Sequence, residues 1–202
     1  MDNNKWMPTS SRFKKDEIFN HISSVANSLN ILDVGPGVGT YGLGLCGLKI
    51  DAIEVHTPYI KKFNLKDIYV KVYTGDILTF NIDTYDYIIM GDVLEHLKAS
   101  DAKDLIENIN NKKKMCLVAV PFMYSQTKFI KYRGEKMCVE SEHHHQADLT
   151  IDVMKYRYPS LDILYANENY GYYTNYHLRR TLNFKHLSVE DATCEPIRLT
   201  FP

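Results

Sequence analysis

The sequence is poor in cysteine and contains no long apolar run. Four cysteines occur among 202 residues, and no two have the C-x-x-C spacing of a zinc ribbon or a redox-active dithiol, so neither is predicted. No apolar stretch reaches the roughly 20 residues that span a bilayer, so no membrane association is predicted. Positive charge is not in excess either, since 24 Lys and Arg face 25 Asp and Glu. Proteins that bind a nucleic-acid backbone neutralise its phosphates with an excess of basic side chains. Because this sequence has no such excess, nucleic acid is not an expected partner.

The N-terminal residues and the thiols bear on location. Residues 1–15 are polar and charged and do not have the apolar centre of a signal peptide. Cysteines that are not arranged as a disulfide framework, in a chain without an export signal, are typical of a reducing compartment. The sequence therefore predicts a cytoplasmic protein.

Apolar segments of strand length alternate with helix-like segments, a pattern that predicts an α/β domain with a mostly parallel sheet. We interpret 1–202 as a single domain, with an N-terminal helical cap at 1–29, an insertion at 122–148 and a C-terminal extension at 181–202. The extension is either an addition to a sheet edge or a subunit contact, and in the second case the protein would be a homodimer. The predicted strands are 30–34, 50–55, 68–73, 85–90, 115–120, 161–166 and 172–178, and the predicted helices are 16–29, 41–48, 58–64, 100–110 (capped by Ser100) and 149–158.

A glycine-rich turn directly follows the first predicted strand. Asp33 lies within that strand, and Gly35, Gly37 and Gly39 follow it at alternate positions. Glycine lets a ligand approach the backbone closely, and the next helix begins with N–H groups that favour a polar ligand group. Glu54 ends the second strand, where such folds place an acid for ribose hydroxyls. A tight turn that binds no ligand is the alternative interpretation.

The spacing of the glycines distinguishes between two classes of nucleotide ligand. Dinucleotide-binding turns have the pattern G-x-G-x-x-G, whereas this turn is G-x-G-x-G and is preceded by an acid. The carboxylate of Asp33 suits the positively charged amino-acid end of S-adenosylmethionine (SAM) and does not suit a pyrophosphate. A nicotinamide-dependent oxidoreductase is therefore disfavoured.

Two more acids follow predicted strands. Asp76 and Ile77 come after the third strand, and Asp92 comes after the fourth. Ligands of open parallel sheets lie beyond the carboxyl ends of the strands, so Asp33, Glu54, Asp76 and Asp92 are predicted to lie along one edge. Each acid alone would be interpreted as a solvated loop residue. All four lie at or near the carboxyl ends of successive strands, and this shared position favours a ligand-binding site.

Three stretches carry a resemblance to a known family: ILDVGPGVGTYGLGL, DAIEVHTPYIKKFNLKDIYVKVYTGDI and YDYIIMGDVLEHL. Over residues 31–121 the chain resembles class I SAM-dependent methyltransferases, in particular a small subgroup found among bacterial surface-polysaccharide and bacteriophage genes. The resemblance implies a Rossmann-like fold with a seven-stranded, mostly parallel sheet, an antiparallel last strand and helices on both faces. It also implies SAM as cofactor, with S-adenosylhomocysteine (SAH) as its product.

The resemblance assigns roles to individual positions. Asp33, Gly35 and Gly37 would surround the methionine moiety, Glu54 would bind the ribose, Asp76 and Ile77 would contact the adenine, and Asp92 would border the site of methyl transfer.

In the subgroup, a glutamine and an acid-plus-histidine segment follow the fifth strand, within the insertion that shapes the acceptor pocket. The corresponding residues here are Gln126 and either Glu142-x-x-His145 or Glu140-x-x-His143, and the sequence does not choose between these registers. Adjacent histidines on an extended chain point to opposite faces, so no metal site is predicted from this run. It is interpreted as a polar loop or as a substrate contact.

His96 and Asp92 are the candidate catalytic residues. Histidine titrates near neutral pH, so His96 is predicted to act as general base, with Asp92 as the alternative base or as an acceptor of a substrate hydrogen bond. The competing interpretation is that His96 only bonds to a backbone carbonyl. SAM carries an activated methyl group, so alignment of the acceptor is the main catalytic requirement.

The methyl acceptor is predicted from absences as well as from the resemblance. The D/N-P-P-aromatic motif of base-modifying amino methyltransferases and the Pro-Cys nucleophile of cytosine-C5 enzymes do not occur. The stretch 128–136 mixes basic and aromatic side chains, which could hold single-stranded nucleic acid, a phosphorylated or sugar acceptor, or lie in solvent. The prediction is methyl transfer to a small molecule or glycan, at a hydroxyl. The alternative is a SAM- or nucleotide-binding regulatory or assembly module without turnover.

Overall fold

The computed structural model describes residues 11–123 and 143–176. These residues form a seven-stranded sheet flanked by helices. The strands are β1 (Ile31–Val34), β2 (Ile50–Glu54), β3 (Val72–Thr74), β4 (Tyr87–Gly91), β5 (Met115–Pro121), β6 (Asp162–Ala166) and β7 (Tyr170–Thr174). The helices are α1 (Lys15–Ala26), α2 (Thr40–Gly44), α3 (Pro58–Lys62), α4 (Leu65–Ile68), α5 (Ala99–Asn111) and α6 (Ile151–Arg157), and a 3₁₀ turn spans Leu94–His96.

The strand order is β3-β2-β1-β4-β5-β7-β6. Neighbouring strands from β3 to β5 pair in parallel, and β7 pairs antiparallel with both β5 and β6. The chain runs outward from β1 to β3 and then returns to place β4 on the other side of β1. This reversal opens a crevice beyond the carboxyl ends of β1 and β4, where open α/β sheets bind their ligands.

Each central strand buries both of its faces. In β4, Ile88 and Met90 pack on one side with α5, while Tyr87 and Ile89 pack on the other side with α1. A strand buried on both faces has a continuous apolar sequence, which is why β4 and β5 are conspicuous in the sequence. The predicted fold class is confirmed: a mostly parallel seven-stranded sheet, an antiparallel last strand and helices on both faces.

The prediction of the third strand was wrong in its position. Residues 68–73 were predicted as a strand, whereas β3 begins at Val72, Ile68 ends α4, and residues 69–71 connect the two elements. Leu65 and Ile68 lie three residues apart on α4, where Leu65 is fully buried and both pack in the same cluster. Helical spacing of two apolar residues therefore determines this segment, and the strand prediction included the end of the helix.

Two other boundaries differ from the prediction. Ser100 does not cap α5, because the helix begins at Ala99 and Lys98 occupies the capping position without a side-chain bond. The Ser100 hydroxyl instead donates to Asp101. The last strand was predicted at 172–178, but β7 starts at Tyr170 and ends at Thr174.

Several predictions fall outside the described residues. They are Gln126, Glu140, Glu142, the basic and aromatic stretch 128–136 and the extension 181–202. The division of 1–202 into one domain with a cap, an insertion and an extension stays a prediction. Within residues 11–123 and 143–176, no helix is both long enough and apolar enough to cross a membrane.

Candidate functional site

The glycine turn connects β1 to α2 at the crevice between β1 and β4. Gly35, Gly37 and Gly39 have φ angles of 60°, 56° and 85°, a conformation that side chains rarely adopt. The Gly35 N–H donates to the carbonyl of Ile53 at 2.9 Å, which ties the turn to the end of β2.

Side chains at two of these glycines would crowd their surroundings. A Cβ atom at Gly35 would lie 3.1 Å from Cγ2 of Val93, and one at Gly39 would lie 2.7 Å from Cδ1 of Ile68. Backbone conformation therefore favours glycine at these positions, and close packing adds to that preference.

Asp33 is 1% exposed and lies in β1, just before the turn. The Tyr69 hydroxyl donates to Asp33 Oδ2 at 2.5 Å, and the same hydroxyl accepts from the Gly42 N–H at 3.2 Å. Burial raises the pKa of Asp33 to about 7, against the opposing effects of the Tyr69 bond and the charge of Lys15. Asp33 thus anchors the start of α2 through Tyr69 while remaining beside the crevice.

Glu54 ends β2 and is 4% exposed. Its Oε1 accepts from the His56 N–H at 2.8 Å, and its backbone carbonyl accepts from the Gly75 N–H at 3.2 Å. These bonds fix the carboxylate next to the glycine turn and connect it to the loop that follows β3.

Asp76 and Ile77 follow β3 but have different surroundings. Asp76 is exposed, and its Oδ1 accepts from the Leu78 N–H at 2.9 Å, which closes a tight turn. Ile77 is 6% exposed and belongs to the core cluster on the α5 side of the sheet. The structure therefore leaves the side chain of Asp76 accessible to a ligand and buries most of Ile77.

Asp92 follows β4 in a left-handed conformation, with a φ of 58°. Its N–H donates to the carbonyl of Ala119 at 2.9 Å, and its Oδ1 accepts from the Tyr170 hydroxyl at 2.7 Å. The positive φ turns the carboxylate away from the line of β4, and Tyr170 on β7 holds it. Tyr170 was not predicted as a site residue, because only the antiparallel pairing of β5 with β7 brings it there.

Lys15 is a second site residue that the sequence did not reveal. Its Nζ donates to the Tyr41 hydroxyl at 3.4 Å and lies 4.5 Å from the centre of the Tyr41 ring and 5.4 Å from that of Tyr172. Burial lowers the pKa of Lys15 to about 8, while the charges of Asp92 and Asp33 act in the opposite direction. The first residue of α1 thus contributes the cation that faces the acids of β1 and β4.

The 3₁₀ turn after β4 carries Glu95 and His96. Glu95 is 1% exposed, and burial together with the nearby charge of Asp92 raises its pKa well above its usual range. His96 Nδ1 lies 3.3 Å from the carbonyl oxygen of His143, and its Nε2 lies 4.0 Å from Glu95 Oε1. The ring of His144 lies 4.5 Å from that of His96, centre to centre.

The histidine run has alternating directions, as the extended-chain argument predicted. The rings of His143 and His145 lie together, 5.0 Å apart, and both residues are exposed. His144 packs on His96 instead, and burial lowers the pKa of His144 to about 3, so its ring is neutral.

Gln146 connects the histidine segment to the 3₁₀ turn and is 2% exposed. Its Nε2 donates to the carbonyls of Leu94 at 2.9 Å and Leu97 at 3.2 Å, and its Oε1 accepts from the Tyr158 hydroxyl at 2.7 Å. Gln126 was the predicted glutamine, and Gln146 was not predicted. No local sequence pattern indicates Gln146, because most of its hydrogen-bond partners lie far away in the chain.

Comparison with known proteins establishes the fold. No protein-family model matches the sequence, and no curated protein matches it either. Solved structures do match. A magnesium protoporphyrin IX methyltransferase from Synechocystis PCC 6803, crystallised with SAH, is 14% identical, with a TM-score of 0.55 over 80% of each chain.

Two further structures are similar over most of their length. A SAM-dependent methyltransferase from Archaeoglobus fulgidus is 14% identical, with a TM-score of 0.56 over 79% of this chain and 91% of that chain. The N-methyltransferase NodS from Bradyrhizobium japonicum is 13% identical, with a TM-score of 0.53 over 80% and 93% of the two chains. At such identities the similarity shows that this chain has the class I methyltransferase fold.

Proposed function

We propose that the protein is a SAM-dependent methyltransferase. The observation that carries the proposal is the glycine turn at the β1–β4 crevice, flanked by the buried carboxylates of Asp33 and Glu54. A bare backbone next to two buried acids suits a ligand that is positively charged at one end and carries a ribose. Three solved methyltransferases with this fold support the proposal.

The chain's own residues fit SAM from end to end. Gly35 and Gly37 would leave room for the methionine moiety, Asp33 would face its amino group, and Lys15 would pair with its carboxylate. Glu54 would accept hydrogen bonds from the ribose hydroxyls, and the loop with Asp76 and Ile77 would border the adenine. The space at Gly35, which a Cβ atom would close against Val93, is the structural feature that this fit requires.

Methyl transfer is proposed to occur beside Asp92. When bound, SAM supplies a methyl group already activated on sulfur, so the protein has to exclude water and align the acceptor. Asp92 lies at the end of β4 and is oriented by Tyr170, which suits it to hold or deprotonate an acceptor hydroxyl. His96, three residues after Val93, is the second candidate base.

The proposed acceptor is a hydroxyl of a small molecule or a glycan. Magnesium protoporphyrin IX, the substrate in the name of one similar structure, is a small molecule. The side chains of Tyr41, Tyr170 and Tyr172 lie around Lys15 and Asp92, and all three are buried, so they position these two charged groups for the acceptor. We also propose that the protein belongs to the surface-polysaccharide and bacteriophage subgroup of methyltransferases and that it is located in the cytoplasm.

Binding measurements with a matched pair of variants test the proposal. Isothermal titration of the wild type should show saturable binding of SAM and of SAH. Glu54→Gln should weaken both by about ten- to a hundredfold, since charged hydrogen bonds contribute about 1.5–3 kcal/mol. Glu107→Gln, an exposed change on α5, should bind like the wild type.

Absence of binding at millimolar SAM would contradict the proposal. Equal affinity in Glu54→Gln and the wild type would remove Glu54 from the ribose site. Binding of SAM with no methylated product from any extract would favour the regulatory or assembly module instead.

A further inference from the structure

We propose that Glu95, His96 and His144 form a binding site for a divalent transition-metal ion beside the cofactor crevice. One donor atom of each residue lies within 4.8 Å of the other two. One carboxylate and two imidazoles form a donor set that suits Zn²⁺ and Fe²⁺. The sequence predicted no metal site because it treated the adjacent histidines as one run. The structure instead brings a single member of that run to Glu95 and His96.

The carboxylate of Glu95 has no hydrogen-bond donor from its surroundings. It is 1% exposed, and in the described parts of the chain no other residue donates to either of its oxygens. Buried polar atoms are ordinarily paired, so two carboxylate oxygens without a partner call for a ligand. A bound cation would supply the partner that both oxygens lack.

His96 is oriented as metal-binding histidines are. Its Nδ1 lies 3.3 Å from the His143 carbonyl oxygen, which can only accept, so the hydrogen in this bond is on Nδ1. The other ring nitrogen, Nε2, lies 4.0 Å from Glu95 Oε1, so an ion between them would have a donor atom on either side. A backbone carbonyl that fixes the second ring nitrogen is the usual support of a histidine ligand.

His144 completes the set because it points away from its neighbours. Its ring packs against His96, whereas His143 and His145 are exposed on the other side. One of its ring nitrogens is the atom that lies within 4.8 Å of the donor atoms of Glu95 and His96.

The site needs only a small contraction to hold an ion. Donor atoms around Zn²⁺ stand about 3.4 Å apart, so the widest separation of 4.8 Å has to close by about 1.5 Å. Rotation of the Glu95 and His144 side chains can supply this. The backbone is already fixed, because the Gln146 N–H donates to the Glu95 carbonyl at 3.0 Å and its side chain holds the carbonyl of Leu94.

The role that we assign to the ion rests on the proposed function. Three protein donors leave coordination positions open, as in catalytic zinc sites. The 3₁₀ turn begins one residue after Val93, and Cγ2 of Val93 lies 3.1 Å from the place of a Cβ atom at Gly35, so the open positions would lie on the side of the glycine turn. The ion would hold an oxygen of the methyl acceptor there, which favours a hydroxyl or carboxylate acceptor over an amine.

Metal titrations of the untagged full-length chain test the site without any substrate. Zn²⁺ is followed by calorimetry, and Co²⁺ is followed by its visible absorption. The wild type should bind a single equivalent, and Glu95→Gln and His144→Ala should each weaken the affinity by more than about tenfold. His143→Ala and His145→Ala change exposed neighbours outside the set and should alter it by less than about twofold.

Three results would overturn the metal site. They are absence of binding at submillimolar Zn²⁺ and Co²⁺, unchanged affinity in Glu95→Gln and His144→Ala, or loss of binding only when His143 and His145 are changed. Circular dichroism establishes that each variant is folded, and Glu95→Gln keeps the shape of the side chain. SAM titration of the metal-free wild type separates the two proposals, since SAM binding without metal binding would retain only the methyltransferase.

Discussion

Asp33 is a carboxyl group buried at the end of β1 with one strong hydrogen-bond donor. Burial raises its pKa to about 7, from an ordinary value of 3.8. The folded state therefore holds a proton on Asp33 between about pH 4 and pH 7 that the unfolded chain has lost. Over that window the contribution of Asp33 to stability falls as the pH rises, and above it the full cost of the buried charge is present. A positively charged ligand end would offset this cost.

Asp33→Asn tests this cost. The variant should become progressively more stable than the wild type from pH 4 to pH 7, and above pH 7 the difference in their unfolding free energies should stay constant. An upper limit of about 4.5 kcal/mol follows from about 1.4 kcal/mol for each pH unit between the two pKa values. Urea unfolding at pH 4 and pH 8 measures it, with Asp104→Asn on the exposed side of α5 as control. A constant difference across this range would contradict the buried carboxylate.

Lys15 provides a second test at the residue scale. With a pKa lowered to about 8 by burial, its amine is charged below that pH and neutral above it. Pairing with the SAM carboxylate needs the charged form, so SAM affinity should fall as the pH rises through 8. Lys15→Met keeps the contacts with Tyr41 and Tyr172 and should weaken SAM binding by about tenfold at pH 7.

Titration calorimetry at pH 7 and pH 9 measures the Lys15 effect. The wild type and Lys15→Met should converge in affinity at the higher pH, while Lys155→Met, an exposed change on α6, should follow the wild type at both. A difference between the wild type and Lys15→Met that does not depend on pH would show that the lysine acts through packing.

At the scale of elements, the glycine turn is defined by backbone conformation and by the packing of α4 against it. Gly39 has both a left-handed conformation, with a φ of 85°, and a close neighbour, since Cδ1 of Ile68 lies 2.7 Å from the place of a Cβ atom. Gly47 has a φ of 95° but no atom within 4 Å of that place, so its substitution measures the cost of the backbone conformation alone.

Substitution of each glycine by alanine separates these contributions. Gly47→Ala should lower the unfolding free energy by roughly 1–2 kcal/mol, the cost of the left-handed conformation. Gly39→Ala should cost about 1 kcal/mol more, because the Ile68 side chain has to shift away from the new Cβ atom. It should also weaken SAM binding, whereas Gly47→Ala should not. Equal effects on stability would show that the Ile68 side chain shifts without cost. Urea unfolding and calorimetry together measure both quantities.

The central strands could be predicted because each one is buried on two faces. β4 and β5 are almost wholly apolar, β1 and β2 are apolar apart from their acids, and the structure places all four within two residues of their predicted bounds. The third strand was misplaced because β3 has only three residues and follows a short helix whose apolar pair, Leu65 and Ile68, belongs to the core. Local pattern cannot distinguish such a pair from the start of a strand.

At the scale of the whole molecule, the strand order explains which site residues the sequence revealed. Residues that end parallel strands share one edge, so Glu54 and Asp92 could be placed from strand order alone. Lys15, Tyr170 and His144 come from α1, from β7 and from the segment before α6. Their positions depend on how the chain returns to the sheet, and no local pattern in the sequence contains that information.

The central claim is that SAM occupies the bend between β1 and α2, with its ribose on Glu54. A crystal structure of the full chain with SAH tests it most directly. The account predicts density for SAH along Gly35 and Gly37, with both ribose hydroxyls within hydrogen-bond distance of the Glu54 carboxylate. SAH bound elsewhere on the protein, or a bend that stays filled by side chains at saturating SAH, would contradict it.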